Sequence, residues 1–255
     1  MGMKISIITL FPKMISGFFE ESIVKRAQEK NLVEIEIVNL RDFAVDEYGS
    51  VDDRPYGGGA GMVMRIEPLY KAIQSAKCKI QSSKLRVVLT SAKGKIFNQK
   101  IAKEYSRLKH LVIIAGHYEG VDERVLKYVD EEVSLGDFVM TGGEVAASAI
   151  VDAVVRLIPG VLKKDDATTN ESFFTVSIDR LIESVGEDDI LRKLKEKRVD
   201  TVTLLEYPHY TRPEVFMEKR VPEVLLSGDS KKIEHWRLQQ AYEQTKQRRP
   251  DLLKI

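Results

Sequence analysis

Cysteine is nearly absent from this chain of 255 residues: Cys78 stands alone, so no internal disulfide can form and a reducing compartment is the default. The four histidines and that cysteine show no metal-ligand spacing, and no metal site is expected. Net charge is equally scarce. Forty Lys plus Arg against 39 Asp plus Glu leave +1, which excludes a global field that recruits nucleic acid or an anionic membrane. Any polyanion must be met by a local patch. No run of 18 apolar residues occurs, and no basic stretch precedes a short apolar region with a small-residue cleavage site, so the expected location is the cytoplasm, away from membranes. The start MGMKIS fits a myristoylation pattern, but KISIITL (4–10) reads as a buried strand. With Gly at 16 and Pro at 8, collagen-like and low-complexity classes fall away too.

What is present is alternation. Apolar runs of strand length at 4–10, 33–40, 85–90, 110–115 and 131–135 are separated by helical-period segments at 15–30, 68–76, 98–108, 122–128 and 143–157. That order predicts an α/β domain, a parallel sheet covered by helices, over 1–162, with Pro159 and Gly160 ending its last helix. Residues 163–206 hold eight basic and eleven acidic side chains and one helical segment (GEDDILRKLKEKR), and read as a connector. Residues 207–255 reverse the balance, ten basic against seven acidic, and end in a helix at 231–247; they read as a small basic, all-helical domain.

Three expected strands run into glycine-containing loops: LTSAKG (89–94), AGHYEG (115–120) and LGDFVMTGGE (135–144). In open α/β sheets ligands bind beyond the carboxyl ends of strands, and glycine lets backbone approach them, so the three loops imply one shared pocket. YGGGAG (56–61) lacks the third glycine of the dinucleotide fingerprint, and no P-loop sequence occurs. The stretch VDDRPYGGGAGM (51–62) has no periodicity and sits inside the long connection 41–67, which reads as a mobile substrate-binding lid. Asp152 and Arg156 lie one helical turn apart and read, on spacing alone, as an ion pair. In the tail, Trp236, Arg237, Lys231, Lys232, Arg248 and Arg249 suit phosphate contacts that position an RNA without reading its sequence.

TLFPKM, VDDRPYGGGAGMVM, LTSAKG, AGHYEGVDER, SLGDFVMTGGE, DAVVRLIPGVL, NESF, PHYTRPEV, VPEVLLSGD, IEHWR and RRPDLL, in this order, resemble the bacterial tRNA (guanine-N1)-methyltransferases, members of the trefoil-knot (SPOUT) class. The resemblance covers nearly the whole chain outside the connector. It implies a deeply knotted parallel sheet, a small C-terminal helical domain and a homodimer. It also implies methylation of guanosine 37, 3′ of the anticodon, in tRNA, an activity that helps maintain the reading frame. The methyl donor it implies is S-adenosylmethionine, with magnesium assisting.

Carried over position by position, the resemblance assigns the cofactor to Leu89, Thr90 and Ser91, to Gly116, Tyr118, Glu119 and Gly120, and to Ser134, Leu135, Gly136, Met140, Gly142 and Gly143. It makes Glu171 the general base and Arg156 the cation that opposes charge on guanine O6, with Glu171 acting across the subunit boundary. Substrate contacts are expected from Asp52, Asp53, Arg54, Tyr56, Gly58 and Gly59, and from His209, Arg212, Trp236, Arg237, Arg248 and Arg249. Three departures stand out. Glu171 replaces the usual aspartate, His117 replaces a common arginine, and the stretch from Phe174 to Tyr207 is longer than the usual link.

Overall fold

The computed structural model describes residues 2–78, 84–163 and 171–253. The chain divides into two compact units, Met1–Lys164 and Asp165–Ile255. The first contains β1 (Met3–Thr9), α1 (Pro12–Phe19), α2 (Ser22–Glu29), β2 (Val33–Asn39), β3 (Asp52–Asp53), β4 (Val63–Met64), α3 (Ile66–Cys78), β5 (Leu85–Ile96), α4 (Gln99–Tyr105), β6 (His110–Ala115), β7 (Glu131–Ser134) and α5 (Glu144–Val155). Five of these strands form one parallel sheet in the order β2-β1-β6-β5-β7.

All five expected strands are there, and on the central pair β1 and β6 the apolar runs have a physical reason, since both faces are buried. On β1 and β6, Ile5, Ile7, Leu111 and Ile113 enter a core with residues of α1, α2, α4 and α5. Their neighbours Ile8, Val112 and Ile114 turn the other way into a core with α3. The strand alternation therefore sorts consecutive apolar residues into two layers.

Three local expectations are corrected. The helix expected over 15–30 is two helices, because Ser22 takes a left-handed φ of 52° at the start of α2 and redirects the chain. The strand expected to stop at 90 continues to Ile96: residues between Thr90 and Lys95 bulge outward and pairing with β7 then resumes. Gly94 is needed on the return, since a Cβ there would lie 2.4 Å from the Val133 nitrogen. The helix expected over 122–128 is a 3-10 helix, Glu123–Tyr128.

The second unit contains β8 (Phe174–Ser177), α6 (Ile178–Val185), α7 (Asp189–Glu196), β9 (Thr201–Leu204), β10 (Val215–Phe216), β11 (Lys219–Arg220), α8 (Glu223–Leu226) and α9 (Ser230–Arg248). The described part of the stretch expected as a connector instead supplies most of this unit's buried core. Val176, Ile178, Leu181, Leu191, Leu194, Val202 and Leu204 are buried together with Ala241 and Tyr242 of α9. The unit is also not purely helical, since β8 pairs with β9 and β10 with β11, both antiparallel. Among the described residues no helix is long and apolar enough to cross a membrane.

Asp188 ties α7 to α9. Its carboxylate caps α7 by accepting from the Ile190 and Leu191 amides, and also accepts from the Tyr242 hydroxyl at 2.8 Å and Lys246 Nζ at 3.2 Å. Burial opposes its charge, but the Leu191 amide, Tyr242 and Lys246 outweigh burial and hold the carboxyl below its ordinary pKa. A depressed carboxylate stabilises the folded state above the unfolded pKa and loses that contribution as pH falls through the folded value. Asp188→Ala removes a cap worth about 1 kcal/mol and a hydrogen bond of similar size. It should therefore destabilise the second unit by about 2 kcal/mol at neutral pH, and by less under acid, as read by hydrogen exchange in α7 and α9. An equal loss at all pH values would show that the charge is not what matters.

Candidate functional site

A cavity of about 240 Å³ opens at the irregular middle of β5 and the carboxyl ends of β6 and β7. All thirteen positions expected to hold a cofactor line it: Leu89, Thr90 and Ser91 from β5, the 116–120 loop, and the stretch from Ser134 to Gly143. Residues not assigned to the cofactor also line it, among them His117, which stood out in the sequence only as a departure, and Lys93, Glu123, Glu132, Phe138 and Ala146. Each lies in or beside one of the same three loops or at the start of α5, so treating whole loops as walls would have found most of them.

The walls are held by backbone at close quarters. Thr90 Oγ1 donates to the Ile114 carbonyl at 3.1 Å and accepts from the Gly116 amide at 3.2 Å, joining the middle of β5 to the end of β6. The Gly143 amide donates to the Gly116 carbonyl at 2.6 Å, drawing the stretch after β7 across that junction. A Cβ on Gly143 would sit 2.8 Å from the Gly116 nitrogen and 3.0 Å from Ala115 Cα. A Cβ on Gly142 would lie 2.2 Å from His117 Nδ1. Both positions must be glycine for this loop to close.

The connection read as an unstructured lid is in part a hairpin, β3 paired with β4, whose base is sewn to the pocket loop. The Glu119 amide donates to the Met62 carbonyl at 3.1 Å, the Met64 amide to the Gly120 carbonyl at 2.9 Å, and the Asp122 amide to the Met64 carbonyl at 2.9 Å. Its tip is open: Tyr56 is fully exposed, and Gly57, Gly58, Gly59 and Gly61 all take positive φ. The hairpin thus sets Asp52 and Asp53 in its base and Arg54, Tyr56, Gly58 and Gly59 along its mouth. Burial, then a hydrogen bond to Asp52, pushes the Tyr118 hydroxyl above its ordinary pKa, which links hairpin and pocket through one side chain.

Arg156 does not line the cavity. It caps the C-terminal end of α5, while Gly143 and the cavity are at the other end, about 18 Å away at 1.5 Å per residue. Along the helix, the Arg156 amide donates to the Asp152 carbonyl at 3.3 Å. Glu171 belongs to the second unit, where its carbonyl accepts from the Phe174 amide in the turn before β8. Asp165 and Asp166, the next carboxylates before Glu171 in sequence and the alternatives to it as a base, lie outside the described residues.

In the second unit, Arg237 lies 4.8 Å over the Tyr207 ring, Tyr207 is 4.9 Å from His209, and Tyr210 is 6.3 Å from Trp236. His209, Trp236 and Arg237 therefore share one region, beside which a shallow cavity is lined by Val224, Lys231, Lys232, His235, Trp236 and Gln239. Arg212 is exposed on the same segment as His209. Arg248 and Arg249 are at the far end of α9, and Arg249 is engaged by Asp251 at 2.7 Å. They do not join that region. Among the described residues no group of three or more His, Cys, Asp or Glu side chains could hold a metal.

A parallel α/β sheet with its ligand cavity walled by three glycine-rich loops beyond the strand ends is the arrangement of a small-ligand-binding α/β enzyme domain. The model of the family described as tRNA (Guanine-1)-methyltransferase TrmD matches residues 3–255. The tRNA (guanine-N(1)-)-methyltransferase of Endomicrobium trichonymphae is 44% identical over 99% of this chain and 100% of its own length. That of Clostridium botulinum is 48% identical over 99% and 93%. The crystal structure of tRNA (m1G37) methyltransferase from Aquifex aeolicus superposes with a TM-score of 0.71 at 38% identity, covering 100% of this chain and 96% of that one. This chain belongs to the tRNA (guanine-1)-methyltransferase TrmD family.

The glycine constraint is testable without any ligand. Gly143→Ala forces a Cβ against backbone and should cost about 1–3 kcal/mol as overpacking. Gly17→Ala, inside α1 with nothing within 4 Å, should gain up to about 1 kcal/mol from helix propensity. Equal, small effects in denaturant titrations would show that the loop does not need close passage at Gly143.

Proposed function

We propose that this chain transfers a methyl group from S-adenosylmethionine to N1 of guanosine 37 in tRNA. The observation that carries this reading is the convergence of all thirteen expected cofactor positions on one cavity in a chain of this family. When bound, S-adenosylmethionine supplies the electrophilic methyl group and leaves as the thioether.

The chain's own residues have the harder task. Guanine N1 carries a proton and is a poor nucleophile until that proton leaves, so a carboxylate must accept it as the new bond forms, a contribution of about 10² to 10⁴ in rate. Glu171 takes this role, with one methylene more than the aspartate usual in the family. As N1 loses its proton, charge spreads onto O6, and the Arg156 guanidinium opposes it more strongly in the transition state than in the ground state. The distance of Arg156 from the cavity along its own helix supports a site completed across a homodimer, with Glu171 of the partner subunit meeting the pocket. The exposed hairpin mouth and the His209, Trp236 and Arg237 region supply contacts to the RNA, chiefly to its phosphates. Magnesium assistance would have to rest on one or two carboxylates with water as the remaining ligands.

Three measurements test this reading. Incubation with tRNA transcripts and S-adenosylmethionine, followed by nuclease digestion and mass spectrometry, should yield 1-methylguanosine that disappears when G37 is replaced; a methylated ribose or another base would overturn it. Glu171→Gln should lower single-turnover methyl transfer by about two to four orders of magnitude, with Glu171→Asp within about tenfold of wild type. A Gln variant within threefold of wild type would remove Glu171 from the base role. Finally, mixing Gly142→Val chains, with a blocked pocket, and Glu171→Gln chains should restore activity in verified heterodimers, because each intact pocket then meets an intact Glu171. Silent heterodimers would place base and pocket in the same chain.

A further inference from the structure

Glu144, the first residue of α5, is a carboxylate with no solvent exposure. Such a charge is costly unless it is bonded and compensated. Two groups meet it: Thr9 Oγ1 at the end of β1 donates to Oε1 at 2.8 Å, and His117 Nδ1 lies 3.4 Å from Oε2. The N-terminus of α5 adds its favourable partial charge.

The His117 ring is confined as well as bonded. The Phe11 ring lies 4.7 Å from it on one side, and the Tyr118 ring stands edge-on at 4.9 Å. The strand-like bridge between His117 and Gly142 fixes its backbone. The missing side chain at Gly142 is what makes room, since a Cβ there would strike both His117 Nδ1 and Glu144 Oε2. Four separate segments, the end of β1, the 116–120 loop, the 135–143 loop and the start of α5, therefore converge on one carboxylate and one imidazole. That imidazole lines the cavity, whereas Glu144 stands behind it.

We infer that Glu144 is a positioning residue for the cavity: it holds His117 in the tautomer whose Nδ1–H points at Glu144, so that Nε2 meets the bound ligand as a hydrogen-bond acceptor. The tautomer of an imidazole is set by the bond its other nitrogen makes. A carboxylate accepts only, so Nδ1 must be the donor. At 3.4 Å the contact is long, as such bonds are before a ligand tightens the site. The ligand group this selects is a donor, an ammonium or amino group such as S-adenosylmethionine carries at both ends. The inference rests on the reading that this cavity holds that cofactor.

The test is a double-mutant cycle in S-adenosylmethionine affinity, by calorimetry on the full-length protein, using Glu144→Met, His117→Ala and the double variant. Methionine keeps length and removes the acceptor, and replacing a buried charge by an apolar group is often tolerated by the fold. Each single variant should weaken binding about tenfold, and the double variant no more than His117→Ala alone, because one acts through the other. Glu144→Met within twofold of wild type, or losses that multiply, would overturn the inference. Should Glu144→Met not fold, the wild-type protein decides: with four histidines in the chain, ring 15N shifts can be assigned, and the hydrogen should be on Nδ1 of neutral His117. A hydrogen on Nε2 would overturn the inference. Wild-type protein that does not bind S-adenosylmethionine would instead remove the cofactor reading, leaving the tautomer result to stand on its own.

Discussion

The passage of the Gly142–Gly143 backbone across the middle of β5 and the end of β6 is the constraint on which the first unit's site depends. Only a chain without side chains there can let the Gly143 amide reach the Gly116 carbonyl at 2.6 Å. Once that contact is made, α5 must start at the cavity floor, because its N-cap is Gly143 itself. Glu144 is then buried, and His117 is the side chain in place to meet it. Cavity shape, helix direction and the buried polar pair are thus one geometric decision expressed at successive residues.

The hairpin depends on the same loop from the opposite side. Three backbone hydrogen bonds hold β4 and its neighbours to residues 119–122, so the base of the lid is as firmly placed as the cavity wall. Gly61 belongs to this seam, since a Cβ there would lie 2.6 Å from the Glu119 side chain. Beyond the seam the tip has only a turn, Gly58 amide to Pro55 carbonyl, and no buried side chain. The hairpin thus has a root held by backbone hydrogen bonds and an exposed tip, a division that under the proposed function would let the tip adapt to RNA.

How much of this was legible in the sequence varies with the physics involved. The central strands β1 and β6 announced themselves because burial on both faces favours apolar runs, and α5 because its end is marked by Pro159 and Gly160. The continuation of β5 past Ser91 was hidden, since its outer half, KGKI, is polar and pairs only with β7. The β3–β4 pair was hidden because two residues per strand make no periodic signal. The second unit's core was hidden for another reason: Ile178, Leu181, Leu191 and Leu194 are spaced for helices but diluted among charges, so composition read a connector where packing makes a floor for Tyr242. In the site, the loops were legible from glycine alone, whereas the partner of Glu144 was not, because nothing local links residues 9, 117 and 144. The resemblance supplied Arg156 and Glu171, roles that no local pattern in the sequence expresses.

Charge bookkeeping explains why a nearly neutral chain can still serve a polyanion. The excess of basic over acidic residues is concentrated in 207–255, and two of the ten basic residues there are already engaged, Arg249 by Asp251 and Lys246 by Asp188. Arg237 is stacked on Tyr207, an arrangement that keeps its charge while restricting where it can reach. With a net charge of +1 the chain exerts little long-range attraction on a polyanion, so under the proposed function each phosphate contact contributes mainly register. Under the proposed function discrimination then arises at shaped surface, at the cavity and the base of the hairpin, where the backbone is fixed by hydrogen bonds rather than by charge.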